Sequence, residues 1–185
     1  YVIINIHWDG AWWGRFGAEP LDAENTPIRD EAWKKYEAIW TQIANRYKEY
    51  SDRLIFEGAN EELSGRLNDD YQHPEKGQQN QTGVLGKDAN DIYKLVNQIN
   101  QKFVDIVRST GGNNTYRHLL IPGTGNESCV IGGYEGDSYQ TDGTMDARYK
   151  MPTDLDENGV SKLSVSVHYY DPTAYGISAT STTPW

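Results

Sequence analysis

Four short apolar or alternating runs, Val2 to His7, Leu54 to Asn60, His118 to Gly123 and Leu163 to Tyr170, constrain this chain more than any other feature. Each is bounded by turn residues and reads as a strand. Between the first two, Trp33, Tyr36, Trp40, Ile43 and Tyr47 recur at helical spacing and predict a helix from about Asp30 to Tyr50, entered through Asn25-Thr26-Pro27. Between the second and third, Ile92, Leu95, Val96, Ile99, Phe103, Ile106 and Val107 mark the buried side of a helix from about Lys87 to Ser109. Gly111-Gly112 then provides a left-handed stop. Strands separated by whole helices are joined by crossovers and so lie parallel, which makes the expected fold α/β and wound rather than sandwiched. The stretch from Thr124 to Lys162 is polar and turn-rich, with at most a short helix near Ser128 to Ile131. No repeat, low-complexity tract or Pro/Ser/Gly-rich linker divides the 185 residues, so a single domain is expected.

Composition narrows the partners. A net charge of −10 argues against nucleic acid or an anionic membrane, both of which are held by clustered Lys and Arg. A neutral ligand is easier to accommodate. Thirteen Tyr and six Trp against three Phe favour rings that join a flat apolar face to a hydrogen-bonding edge, which suits sugars as well as cores. Cys129 is the only cysteine, which leaves no internal disulfide and no thiolate metal cluster, and no cofactor is expected. No window approaches the ~18 apolar residues of a membrane span. The chain opens inside its first strand without a starting Met, so an upstream amino terminus is expected.

Alternate residues of a strand share a face. On the second strand Ile55, Glu57, Ala59 and Glu61 go together, while Leu54, Phe56 and Gly58 form the apolar or small set that suits a layer of helices. Asn60 has their parity and reaches a ligand only if the strand has ended before it. On the first strand Ile3, Asn5 and His7 share the inward face; on the last, Ser164, Ser166, His168 and Tyr170 do. His7, Glu61, His168 and Tyr170 therefore arrive together near the carboxyl ends of strands, where barrel enzymes carry their sites.

Five motifs make this pattern more specific. They are Val2-Ile3-Ile4-Asn5-Ile6-His7, Leu54 to Glu61 with its Phe-Glu-x-x-Asn-Glu core, Val107 to Asn114, Leu120-Ile121-Pro122-Gly123, and Val165 to Tyr170. In that order the chain resembles the central part of glycoside hydrolase family five, strands three to six of a (β/α)8 TIM barrel, truncated at both ends. The resemblance implies that Glu61 is the general acid/base and that Asn60 bonds the substrate's 2-hydroxyl. It also implies that His7 is the histidine after strand three, and that His168 and Tyr170 form the His-x-Tyr that flanks the nucleophile. The family motif continues with Pro where this chain has Glu62, and many relatives carry a second His where Trp8 stands.

Retaining hydrolysis of a β-glycoside takes two carboxyl groups roughly 5 to 5.5 Å apart, one giving a proton and one attacking the anomeric carbon. Glu61 supplies the first. In the family the attacking Glu follows strand seven, so it is expected to lie beyond residue 185; Glu57 sits nearer the barrel floor and Glu62 has the opposite parity. Trp12 and Trp13, in a Gly-punctuated loop after the first strand, are candidates for a sugar-stacking platform, with burial of one of them equally in view. Trp33 and Trp40 belong to the helical stripe and the core. Asp154 to Gly159 begins like a calcium loop, but Val165 stands where the bidentate Glu belongs, so it reads as an Asn-Gly turn. Asn80, Asn113 and Asn126 head glycosylation sequons.

The resulting expectation is a secreted, metal-independent, retaining endo-hydrolase of β-1,4-linked glucans such as cellulose, xyloglucan or mixed-linkage glucan. Its alternative is a half-barrel that binds glucan through Trp12, Trp13 and Tyr170 without cleaving it. Two open sheet edges lead us to expect the isolated segment to self-associate.

Overall fold

The computed structural model describes residues 1–7, 11–18, 25–63, 65–69, 87–123, 146–154 and 159–166. Strands β1 (Val2–Asn5), β2 (Leu54–Glu57), β3 (Leu119–Pro122) and β4 (Leu163–Ser166) alternate with helices α1 (Asn25–Tyr47) and α2 (Ala89–Ser109). All three pairings are parallel and the spatial order is the chain order. Asn5 stands beside Glu57, Glu57 beside Leu120, and Leu120 beside Ser164. His168, Tyr170 and Trp8, the helix expected near residues 128–131, and the sequons at Asn80 and Asn126 all lie outside the described residues.

Helix α1 starts five residues earlier than its apolar stripe suggests. Pro27 falls in its first turn, where the missing N–H has no intrahelical partner to lose. Helix α2 is opened by Asp88, whose side chain accepts the Asp91 N–H at 2.9 Å. It stops after Thr110, where Gly111 and Gly112 take φ of 69° and 58°, values that favour glycine.

The two faces of the sheet differ as the alternation requires. Leu54, Phe56, Leu119 and Ile121 are buried against the helices, and Trp40 of α1 packs between Phe56 and Phe103 of α2 with ring centroids 5.8 and 4.6 Å away. All three rings are fully buried, and truncating any one of them to Ala typically costs about 3–5 kcal/mol. On the other face Ile3 and Ser164 are exposed and Ile55 is half-buried. Adjacent parallel strands with helices on one side only form the wall of a (β/α) barrel.

Below the amino ends of the strands a buried guanidinium closes the structure. All five donors of Arg117 are used: Nε on the Asn114 side-chain oxygen, Nη1 on the carbonyls of Ser51 and Leu54, Nη2 on those of Tyr47 and Tyr50. Its flat face lies 4.9 Å from the Phe56 ring centroid. Burial lowers its pKa from the ordinary arginine value. The Val107 to Asn114 motif has the same job. Asn114 donates to the Ala44 carbonyl at 2.8 Å, Asn113 bonds Lys48 through its backbone and Glu49 and Tyr50 through its side chain, and Arg108 grips Asp154 with two bonds of 2.7 and 2.9 Å. Asn113 and Asn114 fasten the end of α2 to the end of α1, and Arg108 ties α2 to the segment before β4, on the face of a barrel that serves stability.

Candidate active site

The site candidate grows from the carboxyl end of β2. The ladder ends at Glu57, three residues sooner than the apolar run suggests, although Gly58 still donates its N–H to the Leu120 carbonyl at 3.2 Å. Gly58 is close to the wall: a Cβ there would meet the Phe103 ring at 3.0 Å. The Tyr36 hydroxyl donates to the Gly58 carbonyl at 2.9 Å, and burial, reinforced by the charge of Glu62, holds that phenol well above its ordinary pKa, so it stays a donor. The chain then turns. Asn60 donates its backbone N–H to Glu62 Oε2 at 2.7 Å, with Glu61 at the apex between them.

Burial sorts the turn. Gly58, Ala59, Asn60, Glu62 and Leu63 are buried, whereas Glu61 alone of residues 58–63 is half-exposed. The arrangement presents one carboxylate at the carboxyl edge of a parallel sheet and sequesters everything around it. The ladder ends before Asn60, and Asn60 is buried within the turn.

Beneath this turn lies a polar floor that the sequence only partly announces. Glu57 is 5% exposed; it accepts from Asn5 Nδ2 at 2.9 Å and from the Ser166 hydroxyl. Parity assigns all three inward, but not their meeting. Glu57 and Ser166 lie on strands separated by β3, and two strand spacings in a flat sheet come to about 9.5 Å. A side-chain contact over that distance requires inward faces that converge, which is barrel curvature. Polar groups so enclosed need partners, and here they supply one another.

Of the other expected site residues, His7 is exposed just past the end of β1. The expectation of a stacking platform at Trp12 or Trp13 is corrected. Both belong to the 3₁₀ turn Ala11–Gly17, stacked on each other at 4.5 Å, and Trp13 is fully buried while Trp12 is 8% exposed. Phe16 and Tyr36 complete the cluster around Trp13, at 5.8 and 6.0 Å. Lys35 covers Trp12, its ammonium 4.2 Å from the ring centroid. Rings so enclosed have no face left for a sugar. The loop after β1 has core of its own to bury, and aromatic content alone does not reveal which rings it takes. Asp154, at the head of the calcium-like run, is engaged by Arg108, and among the described residues no group of three or more His, Cys, Asp or Glu is placed to hold a metal ion.

The model of the cellulase family, glycosyl hydrolase family 5, matches residues 1–184. The chain belongs to this family. Among curated relatives of this family-5 chain, the xyloglucan-specific endo-β-1,4-glucanase of Bacteroides ovatus is 37% identical over 173 residues, covering 93% of this chain and 26% of that protein. Endoglucanase A of Paenibacillus barcinonensis is 33% identical, covering 93% and 36%. Among solved structures, a Caldicellulosiruptor family-5 lichenase mutant in complex with cellotetraose aligns over the whole chain and 42% of its own length, with a TM-score of 0.63 and 28% identity. The family-5 chain therefore spans well under half the length of each of these, and its four parallel strands are a segment of the (β/α)8 barrel.

Proposed function

We propose that this chain is the acid/base-bearing part of a retaining endo-β-1,4-glucan hydrolase. The observation that carries the proposal is the turn at residues 58–63, which buries every residue except Glu61 and holds that carboxylate at the carboxyl edge of the sheet. In that role Glu61 protonates the glycosidic oxygen as the bond breaks and later deprotonates the water that releases the product. By the family resemblance Asn60 bonds the 2-hydroxyl and His7 contacts the sugar, and the resemblance gives His168 and Tyr170, which are outside the described residues, the same duty. No described carboxylate sits opposite Glu61 as the attacking group: Glu57 is tied to Asn5 and Ser166 on the floor, and Glu62 is buried under the turn. We assign the nucleophile to the longer protein, outside these 185 residues, so that the segment alone is inactive. Relatives named for xyloglucan, and a lichenase holding cellotetraose, support a β-1,4-glucan backbone as substrate. A polymer of that size is degraded outside the cell, which makes the enzyme secreted, and the chemistry needs no cofactor.

Binding without cleavage is the weaker reading, because two of the three rings it relied on, Trp12 and Trp13, are in the core. The test is reducing-sugar release, with viscosity loss as the sign of internal cutting, from xyloglucan, mixed-linkage glucan and carboxymethylcellulose by the full-length protein. Cleavage with a rapid fall in viscosity is expected. Retarded migration in glucan-containing gels with no sugar released would overturn the proposal in favour of binding.

A further inference from the structure

The residue after Glu61 is where this chain departs from the motif it resembles, and the structure supplies a reason for the exchange. A proline there fixes its own φ and restricts the residue before it, so the acid-bearing position is constrained covalently. Glu62 imposes no such constraint through its backbone. Its side chain instead folds back over Glu61, and Oε2 accepts the Asn60 N–H at 2.7 Å. The carboxylate is 1% exposed, close enough to Tyr36 for its charge to act on that phenol, and Tyr36 in turn holds the Gly58 carbonyl. A buried carboxylate is costly unless hydrogen-bonded, and a bond from a backbone N–H to a charged oxygen is among the stronger ones available.

We infer that Glu62 is a positioning residue for catalysis: its carboxylate replaces the covalent restraint of proline with a hydrogen-bonded clasp that fixes Asn60 and Glu61 relative to β2. The inference rests on the reading of Glu61 as the acid/base. The clasp closes a ring through the Glu61 backbone, so the Glu61 Cα cannot be reoriented without breaking the bond to Asn60. The base of the ring is pinned twice more, by Gly58 N–H on Leu120 and by Tyr36 on Gly58. Loss of the clasp leaves the acid in place but free to sample unproductive directions, which lowers turnover rather than substrate affinity.

The experiment compares Glu62→Ala, Glu62→Gln and Glu62→Pro in the full-length protein, with Glu61→Gln as control, using xyloglucan as substrate. Glu62→Ala is expected to lower kcat about tenfold, equivalent to ~1.4 kcal/mol in the barrier, with KM nearly unchanged. Glu62→Gln keeps an oxygen acceptor and Glu62→Pro restores the covalent restraint, so both should recover most of the lost turnover. Wild-type kcat in Glu62→Ala would overturn the inference, as would a Glu62→Pro variant no better than Glu62→Ala. If Glu62→Ala does not fold, the other two variants decide, since both must stay near wild-type turnover. Should Glu61→Gln retain full activity, the acid assignment fails and the clasp is judged by amide exchange at Asn60. Faster exchange in Glu62→Ala supports the clasp, and unchanged exchange overturns it.

Discussion

Glu61 and Glu62 are neighbours of the same residue type with opposite fates, one presented and one buried, and their contrast shows what sequence can disclose at this scale. Parity continued past the apolar run separates them on the sequence, but β2 ends at Glu57 and it is the turn that exposes one and buries the other. Parity does not reveal that Glu62 bonds back to Asn60, because that contact depends on a turn whose dihedrals no periodicity encodes. The tryptophans show the same limit: Trp40 is legible as core from its helical stripe, whereas Trp12 and Trp13 sit in a loop without a period. Charge pairs can be argued at the same scale. Asp154 loses solvation by burial, which alone would raise its pKa, yet the bonds and charge of Arg108 prevail and lower it. A carboxylate lowered in the folded state contributes stability that is complete above its unfolded pKa of about 3.9 and is lost as pH falls through the folded value. Asp154→Asn should therefore destabilise the protein near neutral pH and make unfolding less steeply acid-dependent below about pH 4 than in the wild type, as urea melts at several pH values would show.

At the level of elements, the two long helices and all four strands are readable from their hydrophobic periods, and the errors lie at the ends. Helix α1 takes Pro27 into its first turn, where a proline is tolerated, and β2 ends at Glu57 although the Gly58 N–H still reaches the Leu120 carbonyl. The short 3₁₀ turns Ala11–Gly17 and Gly65–Asn68 are not legible, since neither has enough length for a period. They pack closely, and a Cβ on Gly14 would run into the backbone carbonyl of Asp69. Backbone cannot step aside as a flexible side chain can. Gly14→Ala should thus lower stability by about 1–3 kcal/mol, the usual cost of overpacking, seen as a lower midpoint in denaturant with an unchanged slope.

For the whole molecule, parallel pairing follows from the alternation of strands and helices and sequential strand order from the resemblance to the barrel family, but curvature follows from neither. It appears only where Ser166 reaches Glu57 over β3. The apolar residues exposed along the first strand, Val2 at 60% and Ile3 at 53%, lie on an edge with no neighbour among the described strands. Made on its own, the 185-residue chain should associate in sedimentation velocity, and a monodisperse monomer at micromolar concentration would contradict the open-edge account. The central claim, that Glu61 gives and takes the proton, is tested most directly in the full-length protein by Glu61→Ala on two substrates. With xyloglucan, whose leaving group must be protonated, kcat should fall by about 10²–10⁴-fold. With an aryl β-cellobioside whose phenolate leaves unaided, bond cleavage should survive, and added azide should speed turnover and yield the β-glycosyl azide. Equal losses on both substrates with no response to azide, or wild-type activity on xyloglucan, would contradict the account.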